Sequence, residues 1–182
     1  MAPRDRIPCF LIEPTGDVRV SLRRHAHGED RCPVDVLHRA STTIGEEPEG
    51  RDSDYRHDDP RWPTACECGY RFAEDDHRFI AQDPIYRRTD TGERLVLDEA
   101  PAGAMWFADW YPEEWRGPDG HTLVVKTPGG DWIVDRPAAD GKGWDRHGEP
   151  PRVTARPSIG FPDKSGGWRY HGWLTDGVLV EC

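Results

Sequence analysis

Aliphatic side chains are scarce in this 182-residue chain: hydrophobic residues of every kind make up 35% and the mean hydropathy is −0.84. No run of roughly 18 apolar residues occurs, so the sequence predicts no membrane-spanning helix. Met1 to Arg6 is polar and charged, and Phe10 to Ile12 is too short for the apolar region of a signal peptide, so none is expected. Positive charge is short as well. With 24 Lys and Arg against 34 Asp and Glu, the formal charge is −10 and the pI is near 5.2. That balance disfavours nucleic acid, because non-specific binding to phosphates runs on clustered cations. The one basic cluster, Arg19, Arg23, Arg24, His25 and His27, reads as a solvated edge strand or loop. Catalytic signatures are missing too. There is no G-x-S-x-G, H-E-x-x-H, P-loop or G-x-G-x-x-G, and nothing assembles a nucleophile, a base and an orienting group.

Turn formers, tryptophan and cysteine are plentiful by contrast. The chain has 19 Gly, 17 Pro and 8 Trp, a composition of many corners with a few large aromatics to anchor a small core. One modest core makes a stabilising metal more plausible. Five cysteines are present, and in a chain made in a reducing cytosol, clustered cysteines are metal ligands more often than disulfides.

The focus of the sequence is Cys66-Glu67-Cys68-Gly69-Tyr70, two thiols two residues apart followed by a glycine that can turn the backbone. It reads as half of a metal site. Cys32 and His38 upstream complete four N/S donors, the set that tetrahedral zinc prefers, and a closed set of four is structural rather than catalytic. The spacing Cys32-x5-His38-x27-Cys66-x-Cys68 is not that of the common fingers, and the fourth ligand stays open: Cys9 is an alternative to His38, and His25 or His27 could replace either. His27-Gly28-Glu29 and His147-Gly148-Glu149 invite comparison with zinc deaminases, but those pair H-x-E with P-C-x-x-C, and the C-x-C here fails that test. His57-Asp58-Asp59 could bind a hard cation or supply a base, and reads more simply as a turn before Pro60.

The rest of the chain predicts a mainly β fold, with α+β as the alternative: an antiparallel, hairpin-rich domain over 81–182 and an N-terminal zinc-stapled lobe over 1–80, packing as one unit. A first hairpin is expected at Ile7–Leu22 around Pro14-Thr15-Gly16-Asp17, with Val18, Val20 and Leu22 inward and Arg19, Ser21 and Arg23 outward. Three more turn at Thr89–Gly92, at Thr127–Gly130, and at Asp176-Gly177, a pair suited to a type I′ turn. Residues 25–61 and 137–164 are expected to be long polar loops, the first pinned by the metal. In the aromatic window Pro101–Tyr111, Met105, Phe107 and Trp110, or Trp106 and Trp110, would share a helical face. These rings serve core packing, or else an exposed stacking platform for a sugar or base.

The motifs Pro8-Cys9-Phe10-Leu11-Ile12-Glu13-Pro14, His57-Asp58-Asp59-Pro60-Arg61-Trp62-Pro63, Pro101-Ala102-Gly103-Ala104-Met105-Trp106 and Arg146-His147-Gly148-Glu149-Pro150-Pro151, with the Cys66–Tyr70 stretch, cover most of the chain. On these residues it resembles a group of uncharacterised proteins encoded by tailed phages of actinobacteria. The resemblance implies a setting, the cytoplasm of a bacterial host or the virion, and no activity. In that setting the acidic charge and hairpin pattern point to a non-enzymatic, zinc-stabilised protein acting through protein contacts with phage capsid or tail proteins or with itself, as a head-associated or decoration component. The alternative is a zinc-dependent hydrolase or other host-directed factor, which would need an open metal position.

Overall fold

Alternating side chains and glycine-bearing turns make strands of most of the chain. The computed structural model describes residues 6–26, 32–35, 37–50, 56, 58–137 and 143–182. Its strands are β1 (Arg6–Pro8), β2 (Phe10–His25), β3 (Arg39–Pro48), β4 (His77–Arg88), β5 (Arg94–Val96), β6 (Ala104–Phe107), β7 (Leu123–Thr127), β8 (Gly130–Ile133), β9 (Asp145–His147), β10 (Thr154–Pro162), β11 (Trp168–Thr175) and β12 (Val178–Glu181). Helix among the described residues is confined to short 3₁₀ turns such as Leu97–Glu99 and Glu113–Trp115. The fold is mainly β and mainly antiparallel; the start of β2 runs parallel to β6, with Phe10 opposite Ala104.

The described residues form two units, one of Met1–Glu13, Arg87–Leu95 and Glu99–Cys182, the other of Pro14–Tyr86 and Val96–Asp98. In the first, a sheet in the order β1-β12-β11-β10-β9 and the ladder β6-β7-β8 share one core. Met105, Leu123, Val125, Trp132 and Val134 come from the ladder side, and Ala155, Ile159, Tyr170, Leu174 and Leu179 from the sheet. Three predicted turns are found. Arg88 N donates to Glu93 O across Thr89–Gly92, Thr127 pairs with Gly130, and Asp176 and Gly177 both have positive φ, 46° and 73°, as a type I′ turn requires.

The expected first hairpin does not form. β2 runs unbroken through Pro14–Asp17, because Thr15 Oγ1 donates to Ile85 O and also caps the Asp17 amide, and Gly16 at φ 79° makes a kink in an extended strand where a reversal was expected. The partner of β2 is β3, which occupies part of the expected 25–61 loop. The β2–β3 register slips by one between Val20/Gly45 and Ser21/Thr43, leaving Ile44 as the extra residue of a bulge. Val18, Val20 and Leu22 are buried as expected, but so is Ser21, whose hydroxyl meets that of Thr43. Arg19 and Arg23 pair with Asp83 of β4, so this face of β2 is covered and the basic cluster is not a solvated edge. The 137–164 segment likewise holds β9 and β10 rather than a meander, and Met105, Trp106 and Phe107 lie on strand β6 rather than on a helix.

Candidate metal centre

The site is built where a strand pair ends and a tight turn meets it. Beyond the last paired residues, His25 and Arg39, the ladder continues by one bond, Ala26 N to His38 O at 2.9 Å. That bond holds His38 at the mouth of the β2–β3 connection, and Cys32 lies within the same connection. Cys66 and Cys68 sit on a small hairpin of their own. Phe72 N donates to Thr64 O at 3.0 Å, Cys66 N to Tyr70 O at 2.8 Å, and Gly69 N closes the turn onto Cys66 O at 2.9 Å. Gly69 stands at φ 92°, a conformation that L side chains resist. Cys66 and Cys68 are the first and third residues of this tight turn, and the turn brings both thiols to one place.

Cys32, His38, Cys66 and Cys68 converge, with one donor atom from each lying within 4.8 Å of the others. Cys32 Sγ is 3.8 Å from Cys66 Sγ and His38 Nδ1 is 3.1 Å from Cys68 Sγ. Cys32, His38 and Cys66 are buried and Cys68 is half-buried. Three thiols and an imidazole are the donor chemistry of a four-coordinate metal site, so the residues fit such an ion. The backbone around them favours negative sulfur. The Cys68 amide, with the His38 ring and the Arg39 amide, brings the Cys66 thiol down to about 6 against the opposing effect of burial. The Tyr70 amide lowers Cys68 likewise, but burial and the neighbouring Cys32 and Cys66 outweigh it, and Cys68 stands above its ordinary value. Of the two thiols on the turn, Cys66 thus carries charge the more readily.

A second layer fixes the donors. The Tyr70 ring stacks on His38 with centroids 4.2 Å apart and planes at 12°, and Tyr70 Oη reaches Asp76 Oδ2 at 3.4 Å. The same carboxylate oxygen accepts the Ala73 amide at 2.7 Å. Arg24, 5% exposed at the end of β2, donates to Ala73 O and to Pro63 O, and its guanidinium lies 5.2 Å from the Phe72 ring centre. Arg24 therefore ties both ends of the knuckle to the strand that leads to Cys32. Sequence reasoning missed Arg24 and Asp76. Arg24 was hidden among arginines assigned to solvent, and Asp76 among neighbouring acids.

The other candidates lie elsewhere. Cys9 packs half-buried against the core of the first unit, where burial pushes its thiol up to about 12. His25 lies against His77, ring centres 4.5 Å apart. His27, with the whole His27-Gly28-Glu29 triplet, and His57 lie outside the described residues. Asp59 makes the expected turn, accepting the Arg61 amide at 2.9 Å and pairing with its guanidinium. His147 pairs with Asp145 at 3.0 Å. Trp106 is buried and Trp110 is 63% exposed, so the two do not form one surface. No helix among the described residues is long and apolar enough to cross a membrane. No known protein family, curated protein or solved structure matches the chain.

Proposed function

We propose that the ion is zinc, that its role is structural, and that the protein is a non-enzymatic phage component working through protein contacts. The observation that carries the reading is the closed donor set. Three cysteines and one histidine supply all four positions of a zinc tetrahedron and leave none for water or substrate. Zinc–sulfur bonds of about 2.3 Å at tetrahedral angles separate two sulfurs by about 3.8 Å, which is the Cys32–Cys66 distance of 3.8 Å. The widest donor pair, within 4.8 Å, would close by about 1 Å around such an ion. When bound, zinc would cross-link the β2–β3 connection to the 64–72 knuckle and stand in for aliphatic core. The phage setting, and a place in the virion as a head-associated or decoration protein, rest on the sequence resemblance and on an acidic surface suited to specific contacts rather than to nucleic acid.

Metal analysis of protein purified without added zinc, paired with melting before and after chelation, tests the first part. One equivalent of zinc and a fall in Tm of about 10 °C, several kcal/mol for a chain of this size, are expected. The Cys66→Ser, Cys68→Ser double variant should bind no zinc and melt at the chelated temperature. Unchanged melting in both would remove the metal from the fold. Mass spectrometry of purified particles tests the second part, and absence of the chain from virions would move it to a host-directed role.

A further inference from the structure

The first unit carries an aromatic cleft of about 270 Å³ that the metal site does not use. Trp132 and Trp144 meet at 74° with ring centres 5.5 Å apart, and Phe161 and Ile159 complete the apolar lining. The walls are fixed. Trp144 Nε1 donates to Ser158 O, and Phe161 packs so closely on the β7–β8 turn that a Cβ at Gly129 would come within 2.7 Å of it. Polar groups of both kinds stand at the same cleft, the Asp131 carboxylate and the Arg136 guanidinium. The Trp132 indole N–H is buried with no partner among the described residues.

The cleft continues outward. Arg136 lies over the Trp115 ring at 5.0 Å, Trp115 stacks on Tyr111 at 5.4 Å and 29°, and Tyr111 adjoins the 63% exposed Trp110 at 6.0 Å. The segment bearing these rings is anchored by Tyr111 N to Ala108 O and Trp115 N to Pro112 O. A ligand resting on it would not have to order a loose segment; Trp110 is its open ring, and Tyr111 and Trp115 are half-buried against each other. Asp109, next to Trp110 in sequence, is joined to His121 at 2.7 Å, and both are half-exposed.

We propose that this run binds a neutral glycan, one sugar ring in the cleft and the chain continuing past Arg136 onto Trp115, Tyr111 and Trp110. Flat aromatic faces take the C–H face of a pyranose, while a carboxylate and a guanidinium together satisfy hydroxyls, which both donate and accept. Along the run Asp109, Glu113 and Asp131 are each paired, with His121, Arg116 and Lys126, so among the described residues the run offers no cluster of free cations of the kind that polyanions need. The cleft volume, at the small end of the ~300–1,000 Å³ typical of ligand sites, suits one ring. The half-buried Trp144 and Phe161, set against the buried edge of Trp132, make a corner for one ring, whereas a polyproline helix needs an open ridge of parallel aromatics.

The test is calorimetric titration and tryptophan fluorescence of the full-length, metal-bound protein with cellohexaose, chitohexaose and maltohexaose, and with a short polyproline peptide as the competing ligand. Binding of at least one saccharide with a change in tryptophan emission is expected, weakened about tenfold in Trp115→Ala and in Arg136→Ala. Trp110→Ala, an exposed change that leaves folding intact, should weaken the hexasaccharide but not the corresponding disaccharide. No binding of any of the three at millimolar concentration, affinities unchanged in all three variants, or binding of the peptide in place of the saccharides overturns the proposal. Circular dichroism of each variant separates lost binding from lost folding.

Discussion

Arg24 is the residue on which the metal knuckle leans. Its buried guanidinium donates to two backbone carbonyls, Ala73 O and Pro63 O. Burial and the nearby Arg78 make its charge harder to hold, and Asp76 supplies the compensating negative charge. Arg24→Ala should therefore cost about 2–3 kcal/mol in denaturant unfolding, the scale for losing hydrogen bonds made by a buried charged group. Arg24→Lys should recover only part of that, since an ammonium lacks the fork that reaches both carbonyls. Cys9 makes a different prediction, in pH. Burial raises its thiol from 9.0 to about 12, and burial with the charge of Cys9 raises Tyr170 from 10.0 to about 12. Above pH 9 the unfolded chain has released the Cys9 proton and the folded chain has not. Folding is then disfavoured as pH rises, and the stability present below pH 9 is lost progressively towards pH 12. Melting curves should show Tm falling from pH 9 upward. Cys9→Ala should delay the onset of the fall to about pH 10 and make it shallower from there to pH 12, where Tyr170 alone of the two groups remains to cause it.

Among the elements, the 64–72 hairpin depends most on one backbone conformation. Gly69 has φ 92° and nothing within 4 Å of where a Cβ would stand, so Gly69→Ala would clash with nothing and would test the backbone term alone. A left-handed conformation costs an L residue roughly 1–2 kcal/mol. The expected result is zinc affinity weakened about tenfold, measured by competition with a chromogenic chelator, with the donor set intact. The turn of this hairpin and its two ligands were legible in the sequence because Cys66-Glu67-Cys68-Gly69-Tyr70 carries both in five residues; its paired arms were not. The three glycine-marked hairpins were legible for the same reason. β3 was not, since Arg39–Pro48 is built from Thr, Ser, Glu and Gly, and its period-two burial shows only once β2 lies beside it. The unbroken β2 was misread because Pro14, Thr15 and Gly16 are turn formers, and what keeps them extended is the distant Ile85 carbonyl. Cys32 and His38 were found by residue type, but the choice of His38 over Cys9 or His25 needed the β2–β3 register, which no local pattern encodes.

For the whole chain, the candidate metal site belongs to one of the two units. The four donors, the Tyr70 stack and the Arg24–Asp76 support all belong to the unit of Pro14–Tyr86. There the fully buried aliphatic side chains are few, Val18, Val20 and Leu22 chief among them. The other unit has its own core, from Met105 to Leu179, assembled from two sets of strands without any of the donors. Removing the proposed zinc should therefore act on one set of amides. Hydrogen exchange followed by mass spectrometry, with and without chelator, should show faster exchange in peptides spanning 14–48 and 62–82. Peptides of β7, β8, β10, β11 and β12 should be unchanged. The dependence should be local because stability is held in cooperative pieces, each protected by its own buried contacts. Uniform acceleration throughout the chain would mean that the ion stabilises a single cooperative fold, and the metal would then be a condition for the glycan cleft as well as for the knuckle. Acceleration confined to 14–86 would leave the cleft intact in metal-free protein, so saccharide binding should survive chelation with the same affinity.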